Sequence, residues 1–173
     1  MRPDRFNLIV TTLRGMESIS ASELIDILNH MGDPSPKVEQ TSISGLITAK
    51  TSLNPFEVVE KLKDIVEKEP WFVRNIQRVI PVEEVVETKV EKIAEVASRL
   101  AQSIPEDCTF RVTVEKRHTQ LSSKEIIEAV AAKINRKVNL NNPDRIVLIE
   151  VLGGLTGISV IRPNQIFSAS KHG

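Results

Sequence analysis

The strongest constraint on this fold is the order in which its hydrophobic period changes over the first 80 residues. Phe6–Thr12 is short, β-branched and bounded by polar residues, the pattern of a strand. After Gly15, apolar residues recur at Ala21, Leu24, Ile25 and Leu28, one face of a helix. Gly32, Pro34 and Pro36 stop it. Lys37–Thr41 and Ile43–Ala49 then predict two strands. Asn54-Pro55 sets an N-cap followed by proline at the first helical position, and Val58, Val59, Leu62, Ile65 and Val66 form the apolar stripe behind it. Pro70 closes that helix, and Phe72–Ile80 reads as a strand.

The order is β-α-β-β-α-β. Two right-handed split crossovers of this kind build a ferredoxin-like layer of helices on an antiparallel sheet. Pro81 marks the expected boundary, giving domains at 1–80 and 81–173. In the second, Val86, Val90, Ile93, Ala97 and Leu100 predict a long helix over Val82–Leu100. Glu84, Glu87, Glu91 and Glu95 would form its solvated acidic face, a docking surface for a basic partner. Phe110–Val114 alternates as a half-buried strand, Lys116–Leu121 is a basic loop, and Ser122-Ser-Lys-Glu125 has capping-box spacing before a helix. Asn139–Asp144 is loop, Arg145–Leu152 and Gly157–Ile161 are strands, and Phe167–Gly173 is expected to be a polar tail. The class is α+β.

Charge and composition narrow the function. The chain has 23 basic and 23 acidic residues, but the first 110 positions carry 13 and 18 of them and the remainder 10 and 5. Such a split suggests that the C-terminal part meets a polyanion. The alternative is chance partition of surface charge. The one cysteine, Cys108, has no intrachain partner, which suits a reducing compartment. No segment reads as a signal peptide or membrane span, so a cytoplasmic protein without membrane contact is expected.

Catalytic chemistry finds little support. His30, His118 and His172 sit in no nucleophile–base motif. Paired cysteines, HxH and HExxH are missing, so neither metal nor cofactor is expected. Gly153-Gly154 and Gly157 precede a strand rather than a helix, which makes them a hairpin bend and not a phosphate loop. What remains is a strand, a basic loop and a helix start carrying Arg111, Lys116, Arg117, His118, Ser122 and Lys124. Backbone amides at a helix start, flanked by cations, suit phosphate; the same residues would also serve as ordinary solvated surface and a cap. Arg162 and Lys171 would extend the basic track.

Several pieces, in order, resemble a known family. Gly15-Met-Glu17 with Ala21-Ser-Glu-Leu24 resembles the ferredoxin-like domain that precedes THUMP domains. Phe110-Arg-Val-Thr-Val with Lys116-Arg117 is similar to the central strand and basic turn of the THUMP domain. Val138-Asn-Leu-Asn-Asn-Pro-Asp144, Ile146–Val151 and Gly157–Val160 resemble its later strands. The resemblance implies an N-terminal ferredoxin-like domain packed on a THUMP α/β domain, gripping the acceptor and CCA end of a tRNA. With only 12 residues after Ile161, it also implies a non-catalytic adaptor for a separate tRNA-modifying enzyme, similar to the branch that assists an RNA cytidine acetyltransferase. The alternatives are a subunit contributing residues to a partner enzyme and a protein-interaction module that binds no RNA.

Overall fold

The computed structural model describes residues 6–169. Among the described residues it contains two compact units, one built from residues 6–82 together with 165–169, the other from Glu83–Asn164. Each has its own five-stranded sheet.

In the first unit, β1 (Leu8–Thr12), β2 (Lys37–Gln40), β3 (Leu46–Lys50) and β4 (Ile76–Pro81) alternate with α1 (Glu17–His30) and α2 (Pro55–Lys68). All pairings are antiparallel, in the order β4-β1-β3-β2. This is the arrangement that the β-α-β-β-α-β reading requires. Leu24, Ile27 and Leu28 of α1 and Val58, Val59, Leu62 and Val66 of α2 close one face over Leu8, Val10, Ile47 and Val79. Asn54 caps α2, its side-chain oxygen accepting from the Phe56 and Glu57 amides. Gly45 is required by its backbone. It holds φ +73, and an added Cβ would lie 2.6 Å from the Thr12 carbonyl oxygen.

The expected C-terminal tail is corrected here. Phe167–Ser168 form β10, which pairs with β4, and Phe167 is fully buried in the first unit's core. Ile166 and Phe167 are too short an apolar pair to set a period, so the burial left no trace in the sequence pattern. Residues 165–169 therefore group with the first unit.

The second unit orders its strands β5-β9-β8-β6-β7: β5 (Glu84–Glu87), β6 (Thr109–Arg117), β7 (Lys137–Val138), β8 (Arg145–Leu152) and β9 (Leu155–Ile161). Strand β6 runs parallel to β7 and β8, while β9 is antiparallel to β8 and β5. Helices α3 (Val90–Leu100) and α4 (Ser123–Ala131) cover one face, packing Ile93, Ala97, Ile126 and Val130 on Phe110, Val112, Val147 and Ile149.

The long helix expected over Val82–Leu100 is thus a strand followed by a shorter helix. Val85 and Val86 are β-branched and favour an extended chain. The Glu83 N–H donates to the Ile158 carbonyl and the Glu83 carboxylate accepts from the Val160 N–H at 2.7 Å, tying the segment to β9. The expected acidic face is split accordingly, with Glu84 and Glu87 on β5 and Glu91 and Glu95 exposed on α3. Glu84 pairs with Arg99 at 2.6 Å, and Glu87 pairs with Lys92. Arg99 holds the Glu84 carboxyl below the usual range, against the opposing effect of burial.

Candidate nucleic-acid interface

Parallel pairing places the carboxyl ends of β6 and β8 side by side, with Arg117 in register with Leu152, Leu152 with Leu155, and Leu155 with Glu87. Both helices of the unit therefore begin at this end of the sheet. Helix α4 follows β6 through residues 118–122, and α3 follows β5 through Thr88 and Lys89. Helix N-termini carry free amides and a partial positive charge, so two together make this end attractive to anions. Ser122 caps α4, its hydroxyl accepting from the Glu125 N–H at 3.3 Å. Lys89 at the head of α3 makes no side-chain cap.

Lys116 and Lys124 add positive charge. The Lys116 side chain is exposed, and its ammonium donates to the Leu121 carbonyl at 2.9 Å, a bond that orders the side chain without cancelling its charge. Lys124 is 83% exposed and its nitrogen lies 3.9 Å from a Glu128 carboxylate, a separation too long and too wet to neutralise it. Beside them is a shallow cleft of about 550 Å³, lined by Thr88, His118, Thr119, Gln120, Gly153 and Gly154. Its floor is the β8–β9 turn, the expected hairpin bend, with Gly153 at φ +62. His118 stands opposite with φ +55, among described residues the one non-glycine position in the left-handed region.

The remaining sequence-predicted site residues fall elsewhere. Arg117 is the counter-ion of a buried carboxylate. Its guanidinium donates to Glu150, itself 1% exposed, at 2.7 Å and to Glu115 at 3.2 Å. It shares a sheet face with Arg111, Thr113 and Glu115, whereas Lys116 lies on the helix-covered face with Phe110, Val112 and Val114. Arg111 is at the opposite end of β6, donating to Thr113 Oγ1 and to the Leu140 carbonyl at 3.0 Å. Arg162 follows Ile161, which aligns with Ile146 at that same far end, about 20 Å or more along the strand from Lys116. Lys171 lies outside the described residues. The structure therefore brings together Lys116, His118, Ser122 and Lys124, and separates Arg111, Arg117 and Arg162 from them.

Sequence reasoning missed Thr88, Thr119, Gln120 and the inward role of the Gly153-Gly154 turn. The glycine pair marked one wall of the cleft, but only strand register shows that it shares an end of the sheet with the start of α4. The charge split also changes meaning: residues 83–164 hold 12 basic and 12 acidic side chains, so the attraction is local rather than net. Among the described residues no group of three or more His, Cys, Asp or Glu is placed to hold a metal ion, and no helix is long and apolar enough to cross a membrane.

Residues 87–161 match the family model of the THUMP domain. A THUMP domain is an RNA-binding module of tRNA modification. An uncharacterised protein of Methanocaldococcus jannaschii is 31% identical over 167 residues, which is 92% of this chain and 41% of that protein. Among solved structures, PH1313 of Pyrococcus horikoshii shares the fold with a TM-score of 0.66 at 23% identity, over 91% of this chain and 55% of that one. TrmN of Thermus thermophilus gives 0.59 at 18% identity over 91% and 46%, and a 4-thiouridine synthetase solved with RNA and ATP gives 0.56 at 17% over 91% and 42%. The chain thus spans about half the length, or less, of these relatives.

Proposed function

We propose that residues 83–164 hold the acceptor end of a tRNA at the carboxyl ends of β6 and β8, and that the chain serves a tRNA-modifying enzyme as a non-catalytic adaptor. One observation carries this reading: two helix N-termini, two uncancelled lysines and a polar cleft meet at one end of a THUMP-domain sheet. Lys116, Lys124 and the first turn of α4 would hold phosphates, and His118 and Ser122 would add hydrogen bonds. The range of relatives with this fold, a 4-thiouridine synthetase among them, supports a shared RNA-gripping part in the service of different chemistries. The modifying enzyme that the sequence resemblance points to is an RNA cytidine acetyltransferase.

The test has two stages. Filter binding of the purified chain to bulk tRNA and to duplex DNA of equal length should show binding to the first and weak or no binding to the second; equal binding contradicts RNA recognition. Acetylation of tRNA by the enzyme should then be faster with the chain present than without it. An unchanged rate and selectivity overturns the adaptor role.

A further inference from the structure

We propose that the groove between helix α1 and the Pro70–Asn75 segment of the first unit docks a protein partner, through a segment that presents apolar side chains beside a Lys or Arg. This rests on the adaptor reading above and names the surface by which the chain would hold its enzyme.

The groove runs along one stripe of α1. Ile19, Glu23, Asp26 and His30 share that stripe, so the wall is about 16 Å long at the helical rise per residue. Phe72, Arg74 and Asn75 form the facing wall, and the groove has a volume of about 490 Å³.

Its shape is set before any partner arrives. The Glu23 carboxylate accepts from the Arg74 N–H at 2.7 Å and from the Asn75 and Ile76 N–H groups at 3.1 Å, which ties α1 to the facing segment. The His30 ring lies 5.7 Å from that of Phe72 and joins the walls at one end. The Phe72 N–H donates to the Glu69 carbonyl at 2.9 Å, and its ring packs against the first unit's core. A preformed groove spares the complex the entropy of ordering it.

The apolar side chains here face water. Ile19 is 54% exposed, and Trp71, the chain's one tryptophan, is 67% exposed beside Phe72. Neither belongs to the core cluster beneath them. A small-molecule site encloses its apolar lining. Side chains that stand out toward solvent suit the anchors of a protein interface, where tryptophan is enriched.

Charge selects the class of partner. Helix α1 carries Glu17, Glu23 and Asp26 and neither Lys nor Arg. Glu17 and Glu23 already accept backbone N–H groups. Asp26 is exposed and makes no hydrogen bond or ion pair among the described residues. Arg74 is the lining's one Lys or Arg and stands across from this helix. An uncommitted carboxylate among exposed apolar side chains attracts a cation on an apolar segment and repels RNA phosphate, so the partner is protein rather than nucleic acid.

The experiment titrates the RNA cytidine acetyltransferase with the full chain as wild type, Ile19→Arg, Trp71→Ala and Asp26→Lys, each checked for an unchanged melting temperature. The wild type should bind the enzyme, less tightly as salt rises. Ile19→Arg and Trp71→Ala should each lose about tenfold in that affinity, and Asp26→Lys should lose less and flatten the salt dependence, while all three bind tRNA alone as the wild type does. If one variant fails to fold, the other two decide. Folded variants that hold the enzyme as tightly as the wild type overturn this inference and leave the adaptor reading standing. Loss of tRNA affinity in Trp71→Ala without the enzyme would assign the groove to RNA, and a wild-type dimer that Ile19→Arg dissociates would assign it to a second copy; either result overturns the proposal. A wild type that does not bind the enzyme removes the adaptor reading, and this inference with it.

Discussion

At the scale of single residues, a positive charge counts for binding only if nothing in the fold already consumes it. Arg117 and Lys116 are adjacent in sequence and point to opposite faces of β6, one into a carboxylate pair and the other into solvent. Arg117→Ala would leave the buried Glu150 without its guanidinium, so its main effect should be on folding. We expect a loss of about 2–3 kcal/mol in denaturant unfolding, largely recovered when Glu150→Gln is added. A variant that folds normally and loses only RNA binding would show instead that Arg117 is a phosphate ligand. Asp33, 2% exposed, makes a second residue-scale prediction. Burial alone would raise its pKa, but the Thr51 hydroxyl at 2.6 Å and the Ser35 and Ser52 amides outweigh it and lower the value. A depressed carboxyl contributes stability that is present above its unfolded pKa of about 3.9 and lost as pH falls through the folded value. Melting curves taken from pH 5 to pH 3 should therefore fall less steeply for Asp33→Asn than for the wild type, from a lower starting point; parallel curves would contradict the assignment. The basic cluster was legible in the sequence because Lys116 and Lys124 flank a capping signal. The fate of Arg117 was not, because its partner Glu150 lies 33 positions away and meets it only through β6–β8 register.

At the scale of elements, the first unit was readable because each change of period coincided with a glycine, a proline or a cap. The start of the second was not. Val86, Val90, Ile93 and Ala97 fit a helical stripe over β5 and α3 alike, and the turn at Thr88-Lys89 has neither glycine nor proline to announce it. The same turn yields a prediction. Helix α3 begins at Lys89 without a side-chain cap, so its first amides stay available to a ligand. Lys89→Asp would supply the missing acceptor and place a negative charge at the helix start. Stability should rise by about 0.5–1 kcal/mol while tRNA affinity falls. A rise in stability with unchanged affinity would remove the start of α3 from the interface.

At the scale of the whole molecule, the division of the chain matters more than its net charge. The sequence split of charge follows an arbitrary point along the chain, and the two structural units do not inherit it. The return of the chain to the first unit is the other feature hidden from sequence. Phe167 is buried in the core that also holds Val66 and Val79, so Phe167→Ala should cost about 3–4 kcal/mol, read as early melting of that unit. Unaltered melting would mean that β10 contributes nothing to the core it enters.

The central claim is that Lys116 and Lys124 hold RNA phosphates at the carboxyl end of the second sheet. The most direct measurement is the slope of log tRNA affinity against log salt for the wild type and for Lys116→Glu/Lys124→Glu. If both lysines displace counterions, the slope should become shallower by about 1.4, roughly 0.7 for each single-strand phosphate that is no longer neutralised, and affinity should drop at every salt concentration. A double variant with the wild-type slope and affinity would contradict the account.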